Sequence, residues 1–285
     1  MKPGRFPANL PVVSAFAEPT CAWEPVTPRG VAAFARASFG RLFLVQSLAA
    51  LIAAAAVGWF LARGIFPTVD AAVDALPDRG EIRHGRLDWH DDSPALLAEG
   101  GVLAFIVDLR HDGAVRSPAD FALEFGTNSV LVYSLLGPAE FYYPPDYAPG
   151  TYLPANKPDL QPLWGAWRPN LLALAVIATF LGLLLVWFGL ATIYCLPVWL
   201  ICFFGHRDVG LLGAWRLAGA SLLPGALLLS ITLVLYELGV CDLVQTLFIF
   251  GLHLVIGWIY LFVAPLFLRR GAAPKTGNPF TAGAG

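Results

Sequence analysis

The chain has 285 residues, of which 57% are hydrophobic and 13% are charged, and its formal net charge at pH 7 is −2. Soluble domains are close to half apolar and about a quarter charged, so this composition excludes an ordinary soluble protein. We therefore predict an integral membrane protein that is embedded in the lipid bilayer. We expect no nucleic-acid partner.

The amino-terminal segment, residues 1–41, is predicted to be a cytoplasmic tail with an amphipathic lead-in helix. The run "GVAAFARASFGR" would place Arg36 and Arg41 near the lipid headgroups. A helix needs about 20 mostly apolar residues to cross a bilayer, and residues 42–62 are the first stretch that qualifies. In this sequence 41 residues precede this span, whereas secretory leaders have only about 15–30 residues in total. We therefore interpret the span as a retained signal anchor.

A polar segment, residues 63–168, follows the first span and contains 8 basic and 15 acidic residues. Lys and Arg concentrate in the cytoplasmic segments of membrane proteins, so this acidic segment is predicted to be extracytoplasmic. Residues 63–140 contain short alternating runs such as "FALEF", and "EIRHGRLDW" is a candidate hairpin with His84 and Gly85 at its turn. These patterns predict about five strands in a small antiparallel sheet or sandwich.

The run "HDDSP" lies in a predicted loop of this domain. His90, Asp91 and Asp92 carry side chains of the types that bind metal ions. Adjacent residues of an extended chain point in different directions, and no second cluster has the spacing of a metal site. We therefore interpret the run as a solvated loop, with a metal site as the alternative.

Residues 141–169 are rich in proline, tyrosine and tryptophan, and they are predicted to form an extended strap. The apolar run that follows, residues 171–204, is too long for one upright span and short for two spans with a polar turn. The arginines at 207 and 216 fit the cytoplasmic side only if the run crosses once. The residues after Pro197 are then expected to form a kinked extension or a helix at the membrane interface.

Two further apolar stretches, residues 217–236 and 243–268, are predicted to be the third and fourth spans. The turn between them contains no basic residue, whereas the tail, residues 269–285, begins with two arginines. This distribution predicts that both termini are cytoplasmic. The predicted fold class is a membrane α-helical protein with four transmembrane helices and a small antiparallel β-rich extracytoplasmic domain between helices 1 and 2.

Polar side chains within the predicted spans are candidates for a functional role, because polar groups are costly in lipid. On the third and fourth spans these are Ser221, Thr232, Thr246, His253 and Tyr260. Our first interpretation is that they lie on faces where helices pack together, and the alternative is a proton or substrate pathway through His253. On the first span, Ala50, Ala54 and Gly58 form a stripe of small residues suited to helix contact.

The sequence contains no complete motif of a known catalytic mechanism, because "HRD" at 206–208 lacks the other motifs of a protein kinase. It contains no G-x-S-x-G, no H-E-x-x-H and no glycine-rich phosphate loop. None of the four cysteines lies in the polar segment, so neither a disulfide framework nor a thiolate metal cluster is indicated there. We predict that the protein is not an enzyme and that it uses no cofactor.

Three short motifs occur in a familiar order over residues 35–268. The first consists of Leu76, Pro77, Ile82, Gly85 and Leu87, the second is the strand end "FIVD" at 105–108, and the third consists of Arg216, Leu217, Ala218 and Pro224. This order resembles the bacterial membrane proteins of domain-of-unknown-function family 1189, which are related to the Yip superfamily. The resemblance implies a span, an exported β-rich segment and a later group of spans, and it implies no catalytic residue.

The expected function is an envelope interaction or sensing module in a bacterial inner membrane. The extracytoplasmic domain would recognise an envelope protein or a small-molecule ligand, since the sequence provides an exported surface rather than convergent titratable groups. The alternative is an accessory or core subunit of a membrane transporter, with a site near the break at Pro224. The small-residue stripe is also compatible with a homo-oligomer.

Overall fold

The computed structural model describes residues 23–145 and 152–270. A short helix, α1 (Pro28–Ala33), precedes four long helices. The long helices are α2 (Phe39–Asp74), α3 (Lys157–Phe204), α4 (Leu211–Glu237) and α5 (Leu243–Val263), which a 3-10 turn continues to Phe267. All four are long and apolar enough to cross a membrane, which confirms the predicted number of apolar helices.

The chain divides into two compact units. Of the described residues, the first unit contains 23–45, 190–221 and 258–270, and the second contains 46–145, 152–189 and 222–257. In the first unit, the guanidinium group of Arg216 donates a hydrogen bond to the carbonyl oxygen of Ala35 at 2.9 Å. It also lies 5.5 Å from the centre of the Phe39 ring. These contacts fix the segment around α1 against the start of α4.

The second unit contains the β-rich region. Its strands are β1 (Gly80–Arg83), β2 (Arg86–Trp89), β3 (Ala95–Glu99), β4 (Leu103–Val107), β5 (Phe121–Phe125), β6 (Ser129–Ser134), β7 (Gly137–Tyr142) and β8 (Leu153–Pro154). One sheet has the order β2-β1-β8 and the other has the order β3-β4-β5-β6-β7. The β-rich region therefore lies between α2 and α3, the second and third helices of the chain. The prediction placed it between helices 1 and 2 because it numbered only the membrane spans, and the short helix α1 precedes them.

The expectation of a purely antiparallel sheet is wrong at one pair of strands. Strands β4 and β5 are parallel, with Leu103 opposite Phe121. Parallel neighbours need a crossover connection of about a dozen residues or more, and residues 108–120 supply it. The crossover covers one face of the sheet, where Val115 and Ala119 pack against the buried side chains of Ala104, Ile106 and Ala122.

Helix α2 continues from its apolar part directly into the β-rich region. Residues Leu61–Ile65 are π-helical, and the N–H of Phe66 donates to the carbonyl of Leu61. Pro67 follows, and a proline ring clashes with the carbonyl four residues earlier in an ordinary α-helix. The wider turn accommodates Pro67. The helix then ends at Asp74, three residues before Pro77.

Helix α3 corrects the predicted strap, because it begins at Lys157 rather than near residue 171. Asn156 starts the helix, since its side-chain oxygen accepts the N–H of Asp159 at 3.0 Å, and a proline in the first turn is tolerated. The helix also continues without interruption through Pro197 to Phe204. Residues 146–151 of the strap lie outside the described residues.

Candidate functional site

A polar pocket of about 490 Å³ lies in the second unit, where one end of the five-stranded sheet meets α2 and the end of α4. Helix α2 contributes Arg63 and Thr68 to its wall. The end of β3 and the β3–β4 turn contribute residues 99–102, and Asp120 is the last residue before β5. The pocket is therefore built from both the sheet and the long helices.

Negative charge dominates this polar pocket. Its lining includes four carboxylates, Glu99, Asp120, Glu237 and Asp242, and one guanidinium group, Arg63. The Arg63 guanidinium carbon lies 4.9 Å from the centre of the Trp59 ring, a cation–π geometry that holds the side chain in place. The excess of carboxylates favours a ligand that carries positive charge and several hydrogen-bond donors.

Tyr236 connects the last turn of α4 to the sheet. Its hydroxyl group donates a hydrogen bond to the carboxylate of Asp120. The Tyr236 ring is buried and stacks on Phe60 with their centres 5.8 Å apart. A hydrogen bond to an ionised acceptor is stronger than one between neutral groups, so this contact couples the start of β5 to α4.

Two glycines allow the walls of the pocket to approach each other closely. A β carbon on Gly100 would lie 2.3 Å from the hydroxyl oxygen of Thr68, and one on Gly64 would lie 2.6 Å from a carboxylate oxygen of Glu237. Gly64 also belongs to the π-helical turn of α2. Such turns are frequent at functional sites, where they redirect side chains.

A second cavity, which is apolar and has a volume of about 190 Å³, is lined by residues of both sheets, of the end of α2 and of the start of α3. Its lining includes Val73, Leu97, Phe105 and Phe125, and it presents almost no polar surface. An apolar cavity of about 150 Å³ holds a molecule the size of benzene. Without hydrogen-bonding groups it would not orient a ligand, so the polar pocket is the stronger candidate site.

A polar network crosses the face of the sheet that the crossover covers. His111 Nδ1 lies 2.6 Å from Glu124 Oε1, and its Nε2 lies 3.2 Å from the hydroxyl oxygen of Ser129. The Ser129 hydroxyl donates to Glu140 Oε1 at 2.8 Å. We call these four residues the polar network; Glu124 and Ser129 are buried, whereas Glu140 is exposed. Burial, followed by the charge of Glu124, raises the pKa of Tyr133 beside it.

Glu124, His111 and Ser129 are connected in the same order as the carboxylate, histidine and serine of a hydrolase triad. The surroundings of Ser129, however, do not suit a nucleophile. Ser129 is only 3% exposed, so a substrate cannot reach its oxygen. The hydroxyl proton is also directed to Glu140 rather than to the imidazole, and a general base must be hydrogen-bonded to the proton that it abstracts. The arrangement therefore supports the sheet rather than a reaction.

The predicted metal-binding alternative receives no support from the loop geometry. His90, Asp91 and Asp92 are all exposed. Nε2 of His90 lies 3.8 Å from a carboxylate oxygen of Asp88, a long contact for an ion pair. Within residues 23–145 and 152–270, no group of three or more His, Cys, Asp or Glu side chains is arranged to hold a metal ion.

The polar candidates of the third predicted span form hydrogen bonds within their own helix. The hydroxyl group of Ser221 donates to the carbonyl oxygen of Ala218 at 2.7 Å. The hydroxyl group of Thr232 donates to the carbonyl oxygen of Leu228 at 2.9 Å. Both side chains are buried. These bonds satisfy the hydroxyl donors without a substrate or a coupling ion.

The candidates of the fourth predicted span are dispersed. A ring nitrogen of His253 is hydrogen-bonded to the carbonyl oxygen of Phe250, and the hydroxyl group of Tyr260 donates to the carbonyl oxygen of Val26. The hydroxyl oxygen of Thr246 is buried and has no hydrogen-bond partner among the described residues. Thr246 and His253 belong to the second unit, whereas Tyr260 belongs to the first.

The stripe of small residues on α2 lies at a helix contact along part of its length. Ala50 and Ala54 are fully buried. A β carbon on Gly58 would lie 2.8 Å from a methyl group of Val176 on α3. Part of the stripe therefore packs within one chain, which leaves less of it for contact between copies.

The residues of the polar pocket were not identified from the sequence. Glu99, Asp120 and Tyr236 lie in three separate segments, and Tyr236 is 116 positions from Asp120. A usable signal was the two acidic residues in the turn "ELGVCD" between the last two spans. That signal predicts which side of the membrane the turn occupies, but it does not predict that the turn meets a sheet.

Comparison with protein families, with curated proteins and with solved structures found no match for this chain. The resemblance to domain-of-unknown-function family 1189 accordingly stays a prediction.

Proposed function

We propose that the chain is a non-catalytic multi-pass protein of a bacterial inner membrane, with both termini in the cytoplasm and the β-rich domain outside it. Four long apolar helices support the membrane location. The excess of acidic residues in the segment that contains the strands supports the orientation. In this proposal the extracytoplasmic domain recognises a ligand or an envelope partner.

The observation that carries this proposal is the composition of the polar pocket's wall. The sheet contributes Asp120, and α4 contributes Tyr236, which is hydrogen-bonded to it. A ligand in the pocket would contact the sheet and the long helices at once. A sensing module requires a ligand that binds one arrangement of such a junction more tightly than another arrangement.

The alternative function, a transporter subunit, has less support. A transport site near the middle of the bilayer requires polar groups that are available to a substrate or an ion. Thr232, which is 2% exposed, directs its hydroxyl group to its own helix. The polar pocket instead lies at the ends of α2 and α4, beside the sheet.

Ligand binding tests the proposal. The full chain in lipid nanodiscs is heated with small amines, such as spermidine, putrescine, lysine and arginine, because the pocket carries excess negative charge. We expect at least one amine to raise the unfolding temperature in a concentration-dependent way. Gly101→Trp fills the pocket from a position where a β carbon has open space, and it should abolish the shift.

Ala114→Trp is the matched control, since residue 114 is exposed and does not line the pocket. It should keep the wild-type response to the amine. If no amine changes the unfolding temperature, or if the shift persists in Gly101→Trp, the polar pocket is not the recognition site.

A further inference from the structure

The turn between β6 and β7 carries two exposed leucines, Leu135 and Leu136, which we call the hairpin tip. Leu136 is 97% exposed and Leu135 is 56% exposed. The hydroxyl group of Ser134 donates to the carbonyl oxygen of Gly137 at 3.2 Å and accepts the N–H of Leu136 at 3.3 Å. These two bonds hold the tip in one conformation.

The geometry of this turn does not require leucine. Gly137 has a φ of 102°, so the conformation that favours glycine falls after the tip rather than within it. Turns in water are usually made of Asn, Asp, Gly, Ser and Pro, which form local hydrogen bonds or set the backbone angles. Two adjacent leucines at such a point favour contact with an apolar phase.

The strand register places the hairpin tip at the end of the sheet that holds the polar pocket. Tyr133, near the end of β6, pairs with Ala122, near the start of β5. Asp120 precedes that start and accepts the hydrogen bond of Tyr236 from the last turn of α4. Adjacent strands lie about 4.8 Å apart, so the tip is roughly 5–10 Å to the side of Asp120.

This end of the sheet therefore lies at the level where a predicted span ends. The β3–β4 turn belongs to the same end, because Asp120 N–H donates to the carbonyl oxygen of Gly101. That turn also meets α2, where a β carbon on Gly100 would collide with Thr68. With the membrane location of the proposed function, these contacts with α2 and α4 place the tip-bearing end of the sheet toward the bilayer.

Two neighbours of the hairpin tip have the chemistry of the headgroup layer. Tyr133 is 36% exposed, and its hydroxyl group, which is hydrogen-bonded to Glu124, lies within electrostatic range of exposed Arg116. Tyrosine is enriched at membrane interfaces, and arginine extends its charge to the phosphate level there. The end of the sheet combines two leucines with these two interfacial residue types.

We propose that the hairpin tip inserts into the boundary between headgroups and acyl chains in the leaflet beside the β-rich domain. The partner of this surface is the lipid bilayer itself. The insertion attaches the sheet to the membrane at a point separate from α2 and α3, with Leu136 in the apolar layer and Arg116 among the phosphates. This inference rests on the membrane location in the proposed function.

A fluorescence experiment on the full chain tests the insertion. A genetically encoded, environment-sensitive fluorescent amino acid replaces Leu136, whose exposure means that the fold does not depend on it. The same replacement at Asn128, an exposed residue in the turn at the opposite end of β6, is the aqueous control. Replacement at Leu185, which is 74% exposed within α3, is the lipid control.

The three proteins are placed in nanodiscs that contain one copy each, with or without spin-labelled phospholipids. We expect the lipid-borne quencher to reduce the emission at 136 at least roughly twice as much as at 128, because an inserted side chain lies at the acyl boundary. Aqueous iodide should quench the emission at 128 more strongly than the emission at 136.

Three results would overturn the inference, and they are distinguishable. If positions 136 and 128 respond alike while 185 is quenched from the lipid, the tip lies in water and the membrane location stands. If 185 is also not quenched from the lipid, the membrane location fails together with the insertion. If protection at 136 occurs only in nanodiscs with two copies, the tip contacts a second copy instead of lipid.

Discussion

Nδ1 of His111 donates a hydrogen bond to Oε1 of Glu124 over 2.6 Å, and Glu124 is only 1% exposed. A carboxylate this deeply buried is tolerated when a cationic or donor partner satisfies it. His111 belongs to the crossover and Glu124 to β5, so the pair fixes the crossover against the sheet. Stability of the β-rich region should therefore depend on His111.

His111→Asn removes one hydrogen-bond partner of Glu124 and should lower the free energy of unfolding of the β-rich region by about 1–3 kcal/mol. Asparagine tolerates the left-handed backbone of residue 111, whose φ is 55°. Hydrogen exchange at the amides of β5 measures the loss. His90→Asn is the control, because that exposed histidine should contribute less than about 1 kcal/mol. Equal effects of the two substitutions would contradict this role for His111.

Tyr143 makes the β-rich region sensitive to alkaline pH. Burial raises the pKa of Tyr143 above its ordinary value, so the folded chain keeps a proton that the unfolded chain releases above about pH 10. Stability is unaffected by this group below that pH and falls above it, by up to about 1.4 kcal/mol per pH unit.

Tyr143→Phe tests this dependence. The substitution removes the hydrogen bond to the carbonyl oxygen of Gly126, at a cost of about 1 kcal/mol near neutral pH. It also removes the alkaline loss, so the stabilities of the variant and the wild type should converge as the pH rises above about 10. Chemical unfolding between about pH 8 and 11 measures both curves. Parallel curves would rule out Tyr143 as the source of the alkaline loss.

Helices α4 and α5 approach backbone to backbone at Gly225. A β carbon there would lie 2.4 Å from the carbonyl oxygen of His253. Gly225→Ala should therefore push the two helices apart and destabilise the protein by about 1–3 kcal/mol. Gly251→Ala on α5, where a β carbon meets nothing within 4 Å, should be neutral or stabilising by up to about 1 kcal/mol. Thermal unfolding in detergent compares the two, and an equal response would contradict the close approach.

The link between Asp120 and Tyr236 predicts an energetic coupling between the sheet and α4. In a double-mutant cycle, Asp120→Ala and Tyr236→Phe should show a coupling of about 1.5–3 kcal/mol, as expected for a hydrogen bond to a charged group. Asp120→Ala and Tyr143→Phe lie at opposite ends of the sheet, so their effects should add within about 0.5 kcal/mol. Additivity in the first pair would mean that the hydrogen bond contributes nothing to the junction.

Much of the helical architecture could be predicted from the sequence, because the bilayer imposes a length and a composition on each span. The hairpin of β1 and β2 was also predictable, since "HG" provides two residues for the left-handed turn, and His84 and Gly85 have φ values of 52° and 69°. Strand β7 was missed because it begins with glycine and proline, which are typical of turns and of sheet edges.

The candidate site could not be predicted, because it depends on contacts between distant segments. The parallel pairing of β4 and β5 is set by how the crossover folds over the sheet, and local alternation is the same for parallel and antiparallel neighbours. That pairing places Asp120 at the end of the sheet that Tyr236 reaches. His111, which is hydrogen-bonded to buried Glu124, lies in the connection "RHDGAVRSPAD", whose sequence is typical of a polar turn.

The side of the membrane on which the β-rich domain lies tests the central claim most directly. A short epitope inserted after Ala114, an exposed residue of the crossover, is probed with an antibody on spheroplasts before and after the membrane is permeabilised. The account predicts that the antibody reaches this epitope before permeabilisation, and that the same epitope at the amino terminus is reached only afterwards. An epitope after Ala114 that is reached only afterwards would contradict the account.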